Sequence, residues 1–195
     1  MNFLAHAFLS GENTHLLLGN FVADSIKGKV PDDYSADFQK GVQLHHAIDR
    51  FTDDHPDVQA CTKRLQPHFR KFAGVVNDIY FDHFLARNWH HYSDIPLKVF
   101  TGHVYNLLHE NETWLPARSR RILPWMVSQD WLTGYANFEA LHRVFLGMSR
   151  RTRFESGMER AVEVLQSDYE YLEGRFKQFF PQLQQYSAEV LRKLY

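Results

Sequence analysis

Apolar side chains recur along this chain at steps of three and four residues, interrupted by glycine, proline and capping residues. The pattern predicts helices from one end to the other. A short apolar run over 2–10 ends at Gly11. Asn13 can cap a helix over 14–27 with Gly28 as its stop, and Ser35 a long helix that runs to about Asp54, ahead of Pro56. Further helices are expected over 57–66, ending at Pro67, and over 69–92, where Phe69, Phe72, Val76, Tyr80, His83 and Phe84 keep helical spacing. Pro96 opens another to about 113, Pro116 one to about 128, and Asn137 caps 138–149. The last two are expected over about 155–180 and 182–194, with Pro181 kinking or breaking them. Alternating apolar runs and hairpin dipeptides flanked by them are missing, so strands are not expected. An all-α, irregular helical bundle in one domain over 1–195 follows.

Within this apolar pattern, eight acidic or imidazole side chains interrupt core-facing segments: His6, Asp24, His45, Asp49, Asp53, Asp78, Asp82 and His83. Ionisable groups on buried faces are costly unless they pair or hold a metal. His45 and Asp49 stand one helical turn apart, Asp53 extends that stripe, and Asp78 and Asp82 repeat the spacing beside His83. Each has an ordinary reading as well. A lone histidine on an apolar face is commonly a hydrogen-bonded core residue, an Asp-x-x-x-Asp pair is commonly a solvated face, and Asp53 reads as a helix-end residue. Co-occurrence on four helices with apolar neighbours points instead to a metal site built between them. Imidazole and carboxylate donors suit Mn²⁺, Fe²⁺ or Zn²⁺, and such a site activates water and polarises phosphoryl oxygens. The remaining histidines share no face with these acids.

Composition narrows the alternatives. The chain has 195 residues, 44% apolar and 15% aromatic, enough to bury a substantial core. Its one cysteine, Cys61, rules out an internal disulfide and a cysteine-zinc site. No signal peptide and no run of 18 or more apolar residues is visible, so a cytoplasmic protein without a membrane span is expected. Glu-x-x-His pairs at Glu12/His15 and Glu139/His142 match ferritin-like spacing, but the first falls in the Gly11–Asn13 break. Neither a Gly-x-Ser-x-Gly turn nor a phosphate-cradling glycine loop is present.

Charge is divided unevenly. Residues 1–60 hold nine acids against four bases, whereas 115–153 hold seven arginines and only Asp130 and Glu139 as acids. A cation site and an anion-facing surface are the reading. A sequence pI of about 6.9 disfavours nucleic acid.

Four ordered motifs carry a resemblance. Asn-Phe-Leu-Ala-His at 2–6, Gly-Asn-Phe-Val-Ala-Asp at 19–24, His-His-Ala-Ile-Asp-Arg-Phe-Thr-Asp at 45–53 and Asp-x-x-x-Asp-His-Phe-Leu at 78–85 resemble bacterial acyl carrier protein phosphodiesterases. Gln-Asp-Trp-Leu at 129–132 and Met-Ser-Arg-Arg at 148–151 extend the likeness. The family is related to the all-α HD-domain metal phosphohydrolases. The resemblance implies release of 4′-phosphopantetheine from the serine of holo acyl carrier protein, with Mn²⁺ as the usual metal. It implies a metal pool of His6, Asp24, His45, Asp49, Asp78, Asp82 and His83, more than one ion needs, with Asp24, Asp82 and His83 also candidates for the chemistry. The local order Asp82-His83 is not the His-Asp dyad that names the superfamily, so that dyad does not assign the ligands. Arg150 or Arg151 is expected to stabilise phosphoryl charge, and Arg118, Arg120, Arg121 and Arg153 to steer an acidic carrier. A nucleotide phosphohydrolase would need the metal without docking arginines, and a helical interaction module would need neither.

Overall fold

A computed structural model describes residues 1–195, and every regular element in it is helical. The helices are α1 (Phe3–Phe8), α2 (Thr14–Val22), α3 (Ala36–Asp54), α4 (Pro56–Phe69), α5 (Ala73–Arg87), α6 (Leu97–Glu110), α7 (Ala117–Ser128), α8 (Trp131–Gly134), α9 (Phe138–Ser149), α10 (Ala161–Ser167) and α11 (Tyr169–Leu194). Three expected caps are in place. Asn13 accepts from the Leu16 N–H, Ser35 from Phe38, and Asn137 from Glu139 and Ala140, each satisfying donors that the first helical turn leaves free.

The structure corrects several boundaries, the first being α2, which ends at Val22 and gives way to a 3₁₀ turn rather than reaching 27. Helix α4 runs through Pro67 to Phe69, and the break falls at Arg70, whose φ of +51° puts a non-glycine residue in the left-handed region. The expected 69–92 helix is therefore only α5. Pro181 does not interrupt α11, because the ring lies on the exposed side while Phe176, Phe179, Phe180 and Leu183 pack into the core on either side of it. Tertiary burial outweighs the local proline cost here. The helix expected over 155–180 starts only after a loop over 150–157 and a 3₁₀ turn over Met158–Arg160, and it divides at Asp168 into α10 and α11.

Helices α2 and α3 cross almost in backbone contact. A Cβ at Gly19 would run into the Phe38 carbonyl, and one at Gly41 into the Leu16 carbonyl. Only glycine permits that approach. The crossing sets Asn20, the residue after Gly19, beside His45, one turn beyond Gly41. Helix α5 is buried on nearly every side, from Val76 and Ile79 through Phe81, Phe84 and Leu85. Phe81 and Phe84 meet Phe176 and Phe179 of α11 in tilted and edge-on contacts. Because α5 is enclosed, neighbouring residues on it face different helices.

Candidate metal centre

Two helices bring His6, from α1, together with His45 and Asp49, from α3. Their ligand atoms all lie within 4.8 Å of one another. The two imidazoles stack with ring centres 4.1 Å apart, and each Nε2 lies 3.1 Å from one oxygen of the Asp49 carboxylate. Asp24, on the single 3₁₀ turn Ala23–Ser25 that follows α2, reaches the group from outside, its Oδ1 3.3 Å from His45 Nε2.

The tautomers are fixed by one residue. His45 Nδ1 lies 2.8 Å from the Asn20 main-chain oxygen, which can only accept, so Nδ1 carries the proton. His6 Nδ1 lies 2.8 Å from Asn20 Oδ1, while Asn20 Nδ2 donates to the His6 carbonyl and to Ser10 Oγ. The amide orientation is thus set, and His6 Nδ1 also donates. In the neutral form of each ring Nε2 carries the lone pair, on the Asp49 side. Asn20 is fully buried. It plays the part of the outer hydrogen-bond acceptor that orients metal-binding imidazoles. Sequence reasoning missed it, although it stands inside the quoted Gly-Asn-Phe-Val-Ala-Asp motif.

Charge in the group is unbalanced. Burial opposes a proton on His45, but Asp24 and Asp49 outweigh it and raise its pKa to about 9. Burial likewise favours a protonated Asp49, and the adjacent imidazoles of His45 and His6 overcome it to hold the carboxyl well below its usual range. The hydrogen bond with His45 lowers Asp24. Burial lowers His6, whose Nε2 is enclosed and, despite its closeness to Asp49, makes no aligned hydrogen bond. An orphaned imidazole nitrogen facing a carboxylate and a second imidazole is the donor set that a divalent cation satisfies.

The other expected site residues are placed elsewhere. Asp82 caps α1, accepting from the main-chain N–H groups of Leu4 (2.7 Å), Asn2 (3.2 Å) and Ala5 (3.3 Å), and burial raises its pKa to about 7. Asp78 pairs with the Met1 ammonium at 3.0 Å. Both support α1, the helix that carries His6. His83 faces the opposite way. Its Nδ1–H donates to the Tyr135 carbonyl (2.7 Å) and its Nε2 accepts from the Tyr169 hydroxyl (3.1 Å). Burial lowers its pKa to about 4, so the ring is neutral with both nitrogens engaged. Burial raises the Asp53 pKa.

The arginines divide as well. Arg118 of α7 donates to the Asp24 carbonyl at 3.3 Å, so the arginine beside the acidic group is Arg118. Arg151 instead donates to Gly147 at the end of α9, and Arg150 and Arg153 are exposed on the following loop. Arg120 and Arg121 stand exposed on α7 with Trp125, on a helix that has no acidic residue.

Residues 1–183 match the family profile described as acyl carrier protein phosphodiesterase. This chain belongs to that family. Three curated relatives, each named acyl carrier protein phosphodiesterase, show how far the similarity extends. The protein from Enterobacter sp. (strain 638) is 32% identical over 185 residues, 94% of this chain and 95% of the relative. That from Serratia proteamaculans (strain 568) is 29% identical over 190 residues, 97% and 98% of the two chains. That from Salmonella agona (strain SL483) is 30% identical over 194 residues, 99% of each. No solved structure matches. The family assignment thus covers all the helices that build the centre. No helix is long and apolar enough to cross a membrane.

Proposed function

We propose that this chain is a metal-dependent phosphodiesterase that removes 4′-phosphopantetheine from the serine of holo acyl carrier protein, leaving the apo protein. The observation that carries the reading is the convergence of His6, His45 and Asp49, with both imidazoles locked by Asn20 into the ligating tautomer. His6 Nε2, His45 Nε2, Asp49 and Asp24 would hold the cation, Mn²⁺ or Fe²⁺ by donor type. When bound, it supplies Lewis acidity that draws charge from a phosphoryl oxygen.

The chain's own groups account for the rest. A water attacks phosphorus and gives up a proton, the bond from phosphorus to the serine oxygen breaks, and that oxygen leaves with the proton the water gave up. Asp24 is the open carboxylate, 77% exposed against 36% for Asp49, and is placed to orient the water and take up its proton. Arg118 stands next to it, where a guanidinium opposes charge gathering on phosphoryl oxygens. The carrier must approach closely, because the scissile phosphate is attached directly to its serine. Arg120 and Arg121, exposed on α7, face that approach with positive charge, and acyl carrier proteins are acidic.

The test is incubation of purified protein with holo acyl carrier protein and Mn²⁺, followed by intact-mass measurement. Loss of the prosthetic group is expected with the wild type and not with His45→Ala or Asp24→Ala of unchanged helicity. Full activity in either variant, or in metal-stripped protein, overturns the reading.

A further inference from the structure

Asp24 differs from its companions in how it is held. His6, His45 and Asp49 stand on helices, whereas Asp24 sits on the three-residue turn Ala23–Ser25, which has almost no hydrogen-bond ladder of its own. Its side chain is exposed, so packing does not fix it either. Besides the His45 contact at its carboxylate, two contacts from α7 hold the turn. Ser119 Oγ donates to Ser25 Oγ at 2.8 Å, and the Arg118 guanidinium donates to the Asp24 carbonyl. Ser119 is 8% exposed and lies on the inner side of α7 with Leu123 and Met126. That side lines one small apolar pocket together with Phe3, Phe21, Val22 and Leu108. Helix α7 thus lies against residues of α1 and α2, and through Ser119 it holds the turn.

We propose that Ser119, through its hydrogen bond to Ser25, is a positioning residue that sets the Asp24 carboxylate against the His6–His45–Asp49 group, so that a helix supplying no ligand of its own sets metal affinity. The inference rests on the metal reading above and goes beyond it. Helix α7 also presents Arg120 and Arg121 outward, so the surface facing an acidic partner and the turn carrying Asp24 are one rigid unit.

Mn²⁺ affinity measured by calorimetry tests it, independently of turnover. Loss of one net hydrogen bond corresponds to an affinity loss of about 3- to 10-fold in Ser119→Ala and in Ser25→Ala. Because both substitutions break the same bond, the double variant is expected to bind no more weakly than either single one. In an Asp24→Asn background, Ser119→Ala should have no further effect on affinity, which separates positioning of Asp24 from a general loss of stability. Thr133→Ala, which breaks the equally short Thr101–Thr133 hydroxyl pair (2.7 Å), should leave Mn²⁺ affinity unchanged. Wild-type affinity in folded Ser119→Ala and Ser25→Ala, or an undiminished Ser119→Ala effect in the Asp24→Asn background, overturns the proposal alone. Wild-type affinity in His45→Ala overturns the metal reading, and the proposal with it.

Discussion

Metal binding to this centre should release about one proton per ion near neutral pH, and the number can be worked from the groups present. In the metal-free protein His45 holds a proton with a pKa of about 9, because Asp24 and Asp49 overcome the burial that disfavours it. His6 is lowered by burial and carries none to give up at pH 7, and Asp49 is already ionised. The two Nδ1 protons stay where Asn20 holds them. One proton, on His45 Nε2, therefore stands between the free and the ligating forms. At pH 7 the protonated form outnumbers the neutral one by about 100 to 1, which weakens apparent affinity about 100-fold, or about 2.7 kcal/mol, relative to pH well above 9. Affinity should rise about tenfold per pH unit from 6.5 to about 8.5 and level off beyond 9. Titration calorimetry with Mn²⁺ in buffers of different ionisation enthalpy counts the protons directly. Release of none would mean that His45 does not ligate. Release of two would mean that His6 is charged before binding, and the tautomer argument would fail.

Other predictions follow from the same geometry. The raised pKa of His45 stabilises metal-free protein fully below about pH 6.5, the unfolded value, and that stabilisation is lost as pH climbs to 9; urea unfolding should show a loss of about 3 kcal/mol across this window, and a flat profile would refute it. Gly41→Ala drives a methyl into the Leu16 carbonyl, so thermal unfolding should report a loss of about 1–3 kcal/mol, with weakened Mn²⁺ binding as Asn20 and His45 separate. Asp82→Ala leaves three N–H groups at the start of α1 uncapped and should cost about 1–2 kcal/mol by urea melt. Reversing charge in Arg120→Glu/Arg121→Glu should lower kcat/KM for the carrier about tenfold or more at low salt and much less at high salt; hydrolysis of a small synthetic diester, which has no protein to dock, should be unchanged.

The helical character of the chain and its main caps were legible in the sequence because each rests on local chemistry. Asn13, Ser35 and Asn137 cap what their spacing says they cap. Pro67 and Pro181 misled because the helices through them gain more from burial than the prolines cost, α4 through Leu65 and Phe69 and α11 through Phe176, Phe179, Phe180 and Leu183. Within the site, the His45–Asp49 pair was readable as one turn of one helix. The partition of the remaining acids was not. Asp82 and His83 are adjacent in sequence, and periodicity shows only that they point about 100° apart. Which direction meets α1 and which meets Tyr135 and Tyr169 depends on how α5 is enclosed, a property of the whole packing.

That enclosure explains how a short motif can serve two ends. The carboxylates of α5 support the small helix α1: Asp82 by capping it, and Asp78 by pairing with the Met1 ammonium. Helix α1 in turn delivers His6, while the glycine crossing of α2 and α3 delivers Asn20 to both imidazoles. The acidic residues of the motifs thus divide between Asp49 and Asp24, at the centre, and Asp78 and Asp82, which hold the scaffold that aims His6. Loss of either α5 carboxylate should therefore lower Mn²⁺ affinity without removing a donor, and a neutral residue that preserves the cap should restore it. Asp82→Ser, still able to accept one α1 N–H, provides the comparison. Its Mn²⁺ affinity should lie between those of wild type and Asp82→Ala, whereas a direct ligand role for Asp82 would make the two variants equally poor.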